Sequence, residues 1–247
     1  MSFREWNAPS YDRVANPHVD WGRQVIDWIP LRGSEMVMDA GCGTGRVTEL
    51  LLDMLPGGRV IAIDSSRTML REAQRRLAGQ SSRVSFIAAD LTQRLPLGLP
   101  VDAILSTATF HWIADHDRLF ANLAAAMRSG GVLAAQCGGS GNIARVRAVL
   151  KDTGDGWLGP WFFATPEETR ARLLASGFTD VRTWLTEEPV RFDSSSELEG
   201  FLATVILGPH LDRLAPEGRD AFVKQVAAGL PDRTIDYVRL NIVATLA

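Results

Sequence analysis

Short apolar runs alternate with helical periodicity through the first two thirds of this chain, the pattern expected of consecutive βαβ units around a parallel sheet. Residues 36–38 form the first apolar run, after which Val47, Leu50, Leu51 and Met54 recur at helical spacing until Pro56, Gly57 and Gly58 stop the helix. Residues 60–63 predict a second strand, Met69, Leu70, Ala73 and Leu77 a second amphipathic helix, and residues 84–88 a third strand. A fourth strand is predicted over 101–105 and a helix over 115–127 with Leu119, Phe120, Leu123 and Met127 on one face. A fifth strand follows over 132–137, with Ser129, Gly130 and Gly131 as the break before it.

Beyond Gly138 the rhythm changes. Residues 138–141 read as a turn, Thr165, Pro166 and Glu167 as a helix start, residues 181–185 as a strand and 193–229 as mostly helix, with a closing strand over 235–246. The last two strands are expected to pair antiparallel, because no simple crossover lies between them. The expected fold is therefore α/β, a doubly wound Rossmann-like seven-stranded sheet with an antiparallel closing strand and a helical cap. Its expected divisions are an amino-terminal helical flap over 1–34, an α/β core over 35–192, the cap over 193–233 and the closing strand over 234–247.

Composition narrows the function classes. With 46% hydrophobic and 22% charged residues among 247, the chain can bury a sizeable core. Lys and Arg number 26 against 29 Asp and Glu, a formal charge of −3, which disfavours bulk attraction to nucleic acid. Arg71, Arg75 and Arg76 read as a solvated helix face. Apolar runs such as 119–127 fall short of the ~18–20 residues of a membrane span, and the first thirteen residues, with Arg4, Glu5 and Asp12, do not resemble a secretory leader. The expected setting is cytoplasmic, as a monomer or homodimer, with a small-molecule partner, no nucleic acid and no membrane. Two cysteines, Cys42 and Cys137, and four scattered histidines give no metal-ligand cluster.

The chemistry concentrates after the first strand, in Asp39, Ala40, Gly41, Cys42, Gly43, Thr44 and Gly45. Glycines in a strand-to-helix turn allow close approach of a ligand at the carboxyl edge of an open sheet, where the helix start can offer N–H groups. About 20 residues on, Asp64 closes the second strand, where a carboxylate can take both hydroxyls of a ribose; a helix cap shared with Ser65 and Ser66 is the other possibility. A dinucleotide fingerprint would need its third glycine where Arg46 stands. Asp39 would repel a pyrophosphate but suit an ammonium group, so the expected ligand is S-adenosylmethionine, which joins an adenosine to an amino-acid end.

Taken together, residues 39–45, Asp64 with Ser65, and Ala89, Asp90 and Leu91 resemble the motifs of class I S-adenosylmethionine-dependent methyltransferases over about residues 36–137. That resemblance implies that Asp39, Gly41, Cys42 and Gly43 hold the methionyl end, Asp64 and Ser65 the ribose, and Asp90 the adenine amino group. It also implies that Met69 and Leu91 flank the adenine and that Thr107 runs beside the transferred methyl. Taken without the resemblance, Asp90 is a turn residue and Met69 a core residue.

A narrower resemblance lies in Trp6, Asn7 and Tyr11 and in Phe110, His111, Trp112, Ile113, Ala114, Asp115 and His116. These are similar to trans-aconitate methyltransferases and related small-molecule carboxylate O-methyltransferases. The cap reads Val205, Ile206, Leu207, Gly208, Pro209 and His210, without the arginine those enzymes tend to carry there. Expected activity is methylation of a carboxylate, with His111, Trp112 and Tyr11 at the reaction centre; a carboxylate with a pKa near ~4 is already ionised and needs alignment and exclusion of water rather than a base. A phenolic or amine acceptor would use His111 as a base. The alternatives are an NAD-dependent oxidoreductase and a noncatalytic cofactor-binding domain. Trp157, Trp161, Phe162 and Phe163 read as a satellite core under a loop.

Overall fold

In the computed structural model the described residues are 17–247; Trp6, Asn7 and Tyr11, with the rest of the first sixteen residues of the expected flap, lie outside them. Helix α1 (Pro17–Ile26) precedes β1 (Met36–Ala40), α2 (Arg46–Asp53), β2 (Arg59–Asp64), α3 (Arg67–Arg76), β3 (Val84–Ala88) and β4 (Val101–Thr107). Then come α4 (His116–Ala126), β5 (Met127–Gly138), α5 (Ala144–Lys151), α6 (Pro166–Ala175) and β6 (Phe178–Glu187). The chain ends with β7 (Val190–Arg191), α7 (Ser195–Phe201), a π-helical turn (Leu202–Ile206), α8 (Gly208–Leu211), α9 (Pro216–Gly229), β8 (Thr234–Ile235) and β9 (Val238–Leu246).

Seven strands form one sheet in the order β3-β2-β1-β4-β5-β9-β6. The first five run parallel, and β9 lies antiparallel to both β5 and β6. This is the doubly wound sheet with an antiparallel closing strand that the hydrophobic pattern predicts. Successive side chains on a strand point to opposite faces. Val37, Ala103, Leu105 and Ala134 therefore pack with Leu51 and Leu52 of α2 on one face, while Met38, Ile104 and Leu133 pack with Phe110, Phe120 and Phe178 on the other. Each such Leu, Ile or Phe removed from water contributes ~1.5–3 kcal/mol. A third cluster joins Trp21, Val146, Leu150, Phe201, Val226 and Tyr237, so that α5 and the helices after β7 share a core of their own.

Several boundaries differ from the pattern-based expectation. Met54 lies just past α2 and is 53% exposed, outside the apolar face. β5 runs through residues 129–131, and the break is absorbed as a register irregularity against β4, with Gly130 at φ 75. The helical stretch over 193–229 is broken where Gly208, Pro209 and Pro216 interrupt it, and its π turn closes by Leu207 N–H donating to Leu202 O. The closing strand is also split. Asp236 O accepts from Ile143 N and its Oδ2 from Arg145 N, drawing the chain toward α5, so β8 pairs with β7 in a separate two-stranded sheet before β9 begins. Among the described residues no helix is long and apolar enough to cross a membrane.

Asp102 ties three strands at the edge opposite the site. Its Oδ2 accepts from Met36 N at 2.6 Å and its Oδ1 from Arg128 Nε at 2.9 Å. Asp102→Ala is expected to lower unfolding stability by ~1–3 kcal/mol, the range for a lost bond to a charged group. Denaturant titration checks this, and an unshifted midpoint contradicts it.

Candidate functional site

The carboxyl ends of β1 to β4 meet at one edge of the sheet, the position at which open α/β sheets take ligands. There the glycine turn is bound tightly into the fold. Gly41 N and Cys42 N both donate to Ile63 O at 2.7 and 2.9 Å, Gly43 N donates to Asp64 Oδ2 at 2.9 Å, and Gly45 N to Cys42 O at 3.0 Å. The amides of these four residues are thus consumed by β2, Asp64 and the turn itself. What faces the cavity is bare α-carbon. Gly43, at φ 54, has nothing within 4 Å of the place a Cβ would occupy, whereas a Cβ on Gly41, at φ 86, would fall 2.1 Å from Thr109 Oγ1. One glycine leaves room for a ligand and the other lets β1 close against β4.

Asp64 braces the turn. While Oδ2 holds Gly43, Oδ1 accepts from Ser66 N at 2.8 Å, and Ser66 Oγ caps α3 by accepting from Met69 N at 3.3 Å. The cap and the carboxylate are therefore separate devices. Asp90 Oδ1 accepts from Thr92 N and Oγ1, each at 2.8 Å, which is the turn role expected of it, and Asp90 also lines the cavity.

Asp39 lies beneath the turn, 1% exposed. Thr48 Oγ1 donates to its Oδ2 at 2.6 Å, while Oδ1 has no partner among the described residues. Burial, aided by the charge of Asp64, pushes its pKa up from the ordinary 3.8 to about 7 against the opposing pull of Thr48. A buried carboxylate with an unused oxygen is expensive unless a cation or proton meets it.

The cavity itself measures about 1110 Å³. Of the residues predicted to form the site, Gly41, Gly43, Asp64, Ser65, Met69, Asp90, Leu91, Thr107, His111 and Trp112 line it. Asp39 sits one layer below, and Cys42 does not line it: that thiol packs in the α2-side core, donates to Gly43 O at 3.7 Å, and has its pKa raised by burial and by the charges of Asp39 and Asp64. Tyr11 lies outside the described residues. At the end of β4, Ala108 adopts φ 53 and donates its N–H to Gln136 O, a conformation uncommon for a residue with a Cβ and typical of functional edges.

His111 is held in one protonation pattern. Gly138 N donates to its Nδ1 at 3.2 Å, so Nδ1 carries the lone pair and the neutral ring carries its proton on Nε2. The ring stacks on Phe163 at 6.0 Å, and Trp161 stacks on Phe163 in turn at 6.1 Å while meeting Trp112 edge-on at 5.9 Å. Trp157, Trp161 and Phe163 thereby wall the cavity, correcting the satellite-core expectation; Phe162 alone turns inward, against His116 and Arg172. Sequence reasoning missed Asn142, Tyr237 and Arg239, which β5, β9 and their loops carry to the same cavity. Among the described residues no group of three or more His, Cys, Asp or Glu could hold a metal.

Residues 37–131 match the methyltransferase-domain family. Over nearly the whole chain the sequence is similar to a trans-aconitate 2-methyltransferase of Azoarcus sp. (strain BH72), 29% identical with 91% of this chain and 89% of the relative covered. It is equally similar to one of Methylobacterium radiotolerans, 29% identical with 98% and 99% covered. The fold resembles that of phosphoethanolamine N-methyltransferase 2 of Haemonchus contortus in complex with phosphomonomethylethanolamine and S-adenosylhomocysteine, at TM-score 0.66 and 16% identity over 97% of this chain and 56% of that one.

Asp39 makes stability depend on pH. Its pKa is higher folded than unfolded, so the folded chain binds more protons between about 4 and about 7, and this residue's contribution falls as pH rises through that window and levels off above it. Asp39→Asn is expected to gain stability relative to the parent on going from pH 4 to pH 8, as read by denaturant titration at each pH. Parallel curves contradict the burial of a lone carboxylate.

Proposed function

We propose, from the match of residues 37–131 to the methyltransferase-domain family, that the chain is an S-adenosylmethionine-dependent enzyme that methylates a carboxylate oxygen of a small acid in the cytoplasm. The observation that carries the choice of methyl donor is the negative, amide-satisfied crevice: Asp39 and Asp64 stand behind a glycine turn whose N–H groups at Gly41, Cys42 and Gly43 are already paired. A diphosphate would need those donors and would meet two carboxylates. A ligand with an ammonium group, a sulfonium and a ribose fits the same residues, with Asp39 and the glycines at its amino-acid end, Asp64 and Ser65 at the ribose, and Met69, Asp90 and Leu91 at the base.

When bound, this donor supplies a methyl carbon made electrophilic by positive sulfur. The remaining work falls to the chain. Thr107 and Ala108 form the edge along which the methyl would lie, and Trp112 with Trp161 excludes water where opposite charges cancel, so a low-polarity wall favours the reaction. His111, with its lone pair at Nδ1 engaged by Gly138 N–H, presents a donor rather than a base from Nε2. That favours an acceptor already ionised, such as a carboxylate, over a phenol or amine that must lose a proton. The trans-aconitate 2-methyltransferases similar to this chain support the same class of acceptor.

Cation binding beside Asp39 should draw off its proton. With a pKa of about 7, roughly half a proton should be released per S-adenosylmethionine bound at pH 7. Calorimetry in buffers of differing ionisation enthalpy is expected to show this release, to lose it in Asp39→Asn, and to detect no NAD binding. Tight NAD binding without binding of the sulfonium nucleoside contradicts the proposal.

A further inference from the structure

The strand order divides the cavity. Asp64 on β2 and Arg239 on β9 are separated by β1, β4 and β5, four strand intervals, or ~19 Å at the usual spacing. At about 1110 Å³ the cavity stands at the upper end of the ~300–1,000 Å³ usual for ligand pockets. The donor's residues occupy the β3-β2-β1 side, leaving the β4-β5-β9 side for the acceptor.

On that side Arg239 lines the cavity although its side chain is 2% exposed. Its guanidinium lies 4.3 Å from the Trp21 ring centre and 5.8 Å from that of Tyr237, and Nε donates to Gln136 Oε1 at 3.4 Å. Glu188 lies within its field but does not line the cavity. Stacking and the Gln136 bond fix the plane of the fork, which suits carboxylate recognition. In the β5–β9 register Arg239 stands opposite Gly138, the residue whose N–H orients His111. A fixed cation and a neutral N–H donor thus flank the same strand end.

The rest of that side does not suit more anionic groups. Arg213 is committed to Asp155 at 2.5 Å and lies over Trp157 at 4.3 Å, and Asp212 stands next to it. With Arg213 paired to Asp155, Arg239 and Asp212 are the other charged residues lining that side, and the wall between them is Trp157, Trp161, Val205, Ile206 and Pro209.

We propose that Arg239 binds the acceptor's carboxylate, and that the acceptor is a monocarboxylic acid with an apolar or aromatic body rather than a polycarboxylate. The assignment rests on the methyltransferase reading above. One carboxylate oxygen forms the new bond to the methyl carbon as the carbon–sulfur bond breaks with its electron pair left on sulfur; a methyl ester and S-adenosylhomocysteine result, and Arg239 keeps its proton throughout.

The test is methyl-ester formation by the full chain with S-adenosylmethionine and octanoate, phenylacetate or aconitate, followed by mass detection, together with calorimetry of S-adenosylmethionine. The parent is expected to favour octanoate or phenylacetate over aconitate at least tenfold in kcat/KM. Arg239→Met should raise the acid's KM by at least ~30-fold, the lower range for losing one partner of a buried charge pair, with donor affinity within twofold of the parent. Arg239→Lys, which keeps charge but not the fork, should raise KM by less and answers the question if Arg239→Met fails to fold. An unchanged KM in either folded variant, or a parent that prefers aconitate, overturns this assignment alone. A parent that neither binds S-adenosylmethionine nor forms any ester overturns the methyltransferase reading and the assignment with it.

Discussion

The site depends on where the amides of the glycine turn are spent. Because Gly41 and Cys42 donate to Ile63 O, and Gly43 to Asp64, the turn faces the cavity with shape and negative potential rather than with hydrogen-bond donors. A similar strand–turn–helix element can cradle phosphate when its N–H groups stay open. Here the same backbone economy leaves two carboxylates, Asp39 and Asp64, close enough for one to raise the pKa of the other. Such a pairing of carboxylates favours a cationic ligand electrostatically.

The same bonds make the crevice stiff. Asp64 joins the glycine turn to the start of α3, and Ser106 Oγ donates to Ala40 O at 2.6 Å while Thr109 Oγ1 donates to Gly41 O at 3.3 Å. The ends of β1, β2 and β4 are thus cross-tied by polar bonds above a packed core. The positions bearing Ala108 and Ile143, at φ 53 and 47, sit on the cavity wall, where surrounding structure holds conformations that an isolated chain would avoid. Against this edge, the third core of α5, α7 and α9 supplies the aromatic and aliphatic wall, so the cavity is polar along the ends of β1 to β3 and largely apolar on the opposite side.

The parallel half of the sheet was legible because strands buried on both faces read as apolar runs and their helices as 3.6-residue stripes. The glycine turn, Asp64 and Asp90 were legible because each closes a strand at a known edge of that sheet. Cys42 was not, since a residue inside the motif can turn to the core as easily as to the ligand. Asn142, Tyr237 and Arg239 escaped for a topological reason: β9 is inserted between β5 and β6 about 100 residues after its neighbour in the sheet. A signal was nonetheless present. Arg239 and Asn241 stand two apart in an otherwise apolar run, so they share one face of a central strand, where polar groups must find partners or a cavity. Asn241 Oδ1 accepts from Gln136 Nε2 at 2.8 Å; Arg239 reaches the cavity. The split of the closing strand at Asp236 was hidden because it depends on α5, a partner that local periodicity does not reveal.

In the proposed function the carboxyl edge of β1 to β3 grips a cationic amino-acid nucleoside through its carboxylates. A crystal structure of the chain with S-adenosylhomocysteine tests it most directly. The ribose hydroxyls are expected on Asp64, the adenine between Met69 and Leu91, and the amino group over Gly41 and Gly43 above Asp39. A nucleoside bound away from Asp64, or an amino group pointing out of the turn with Asp39 left unapproached, would contradict it.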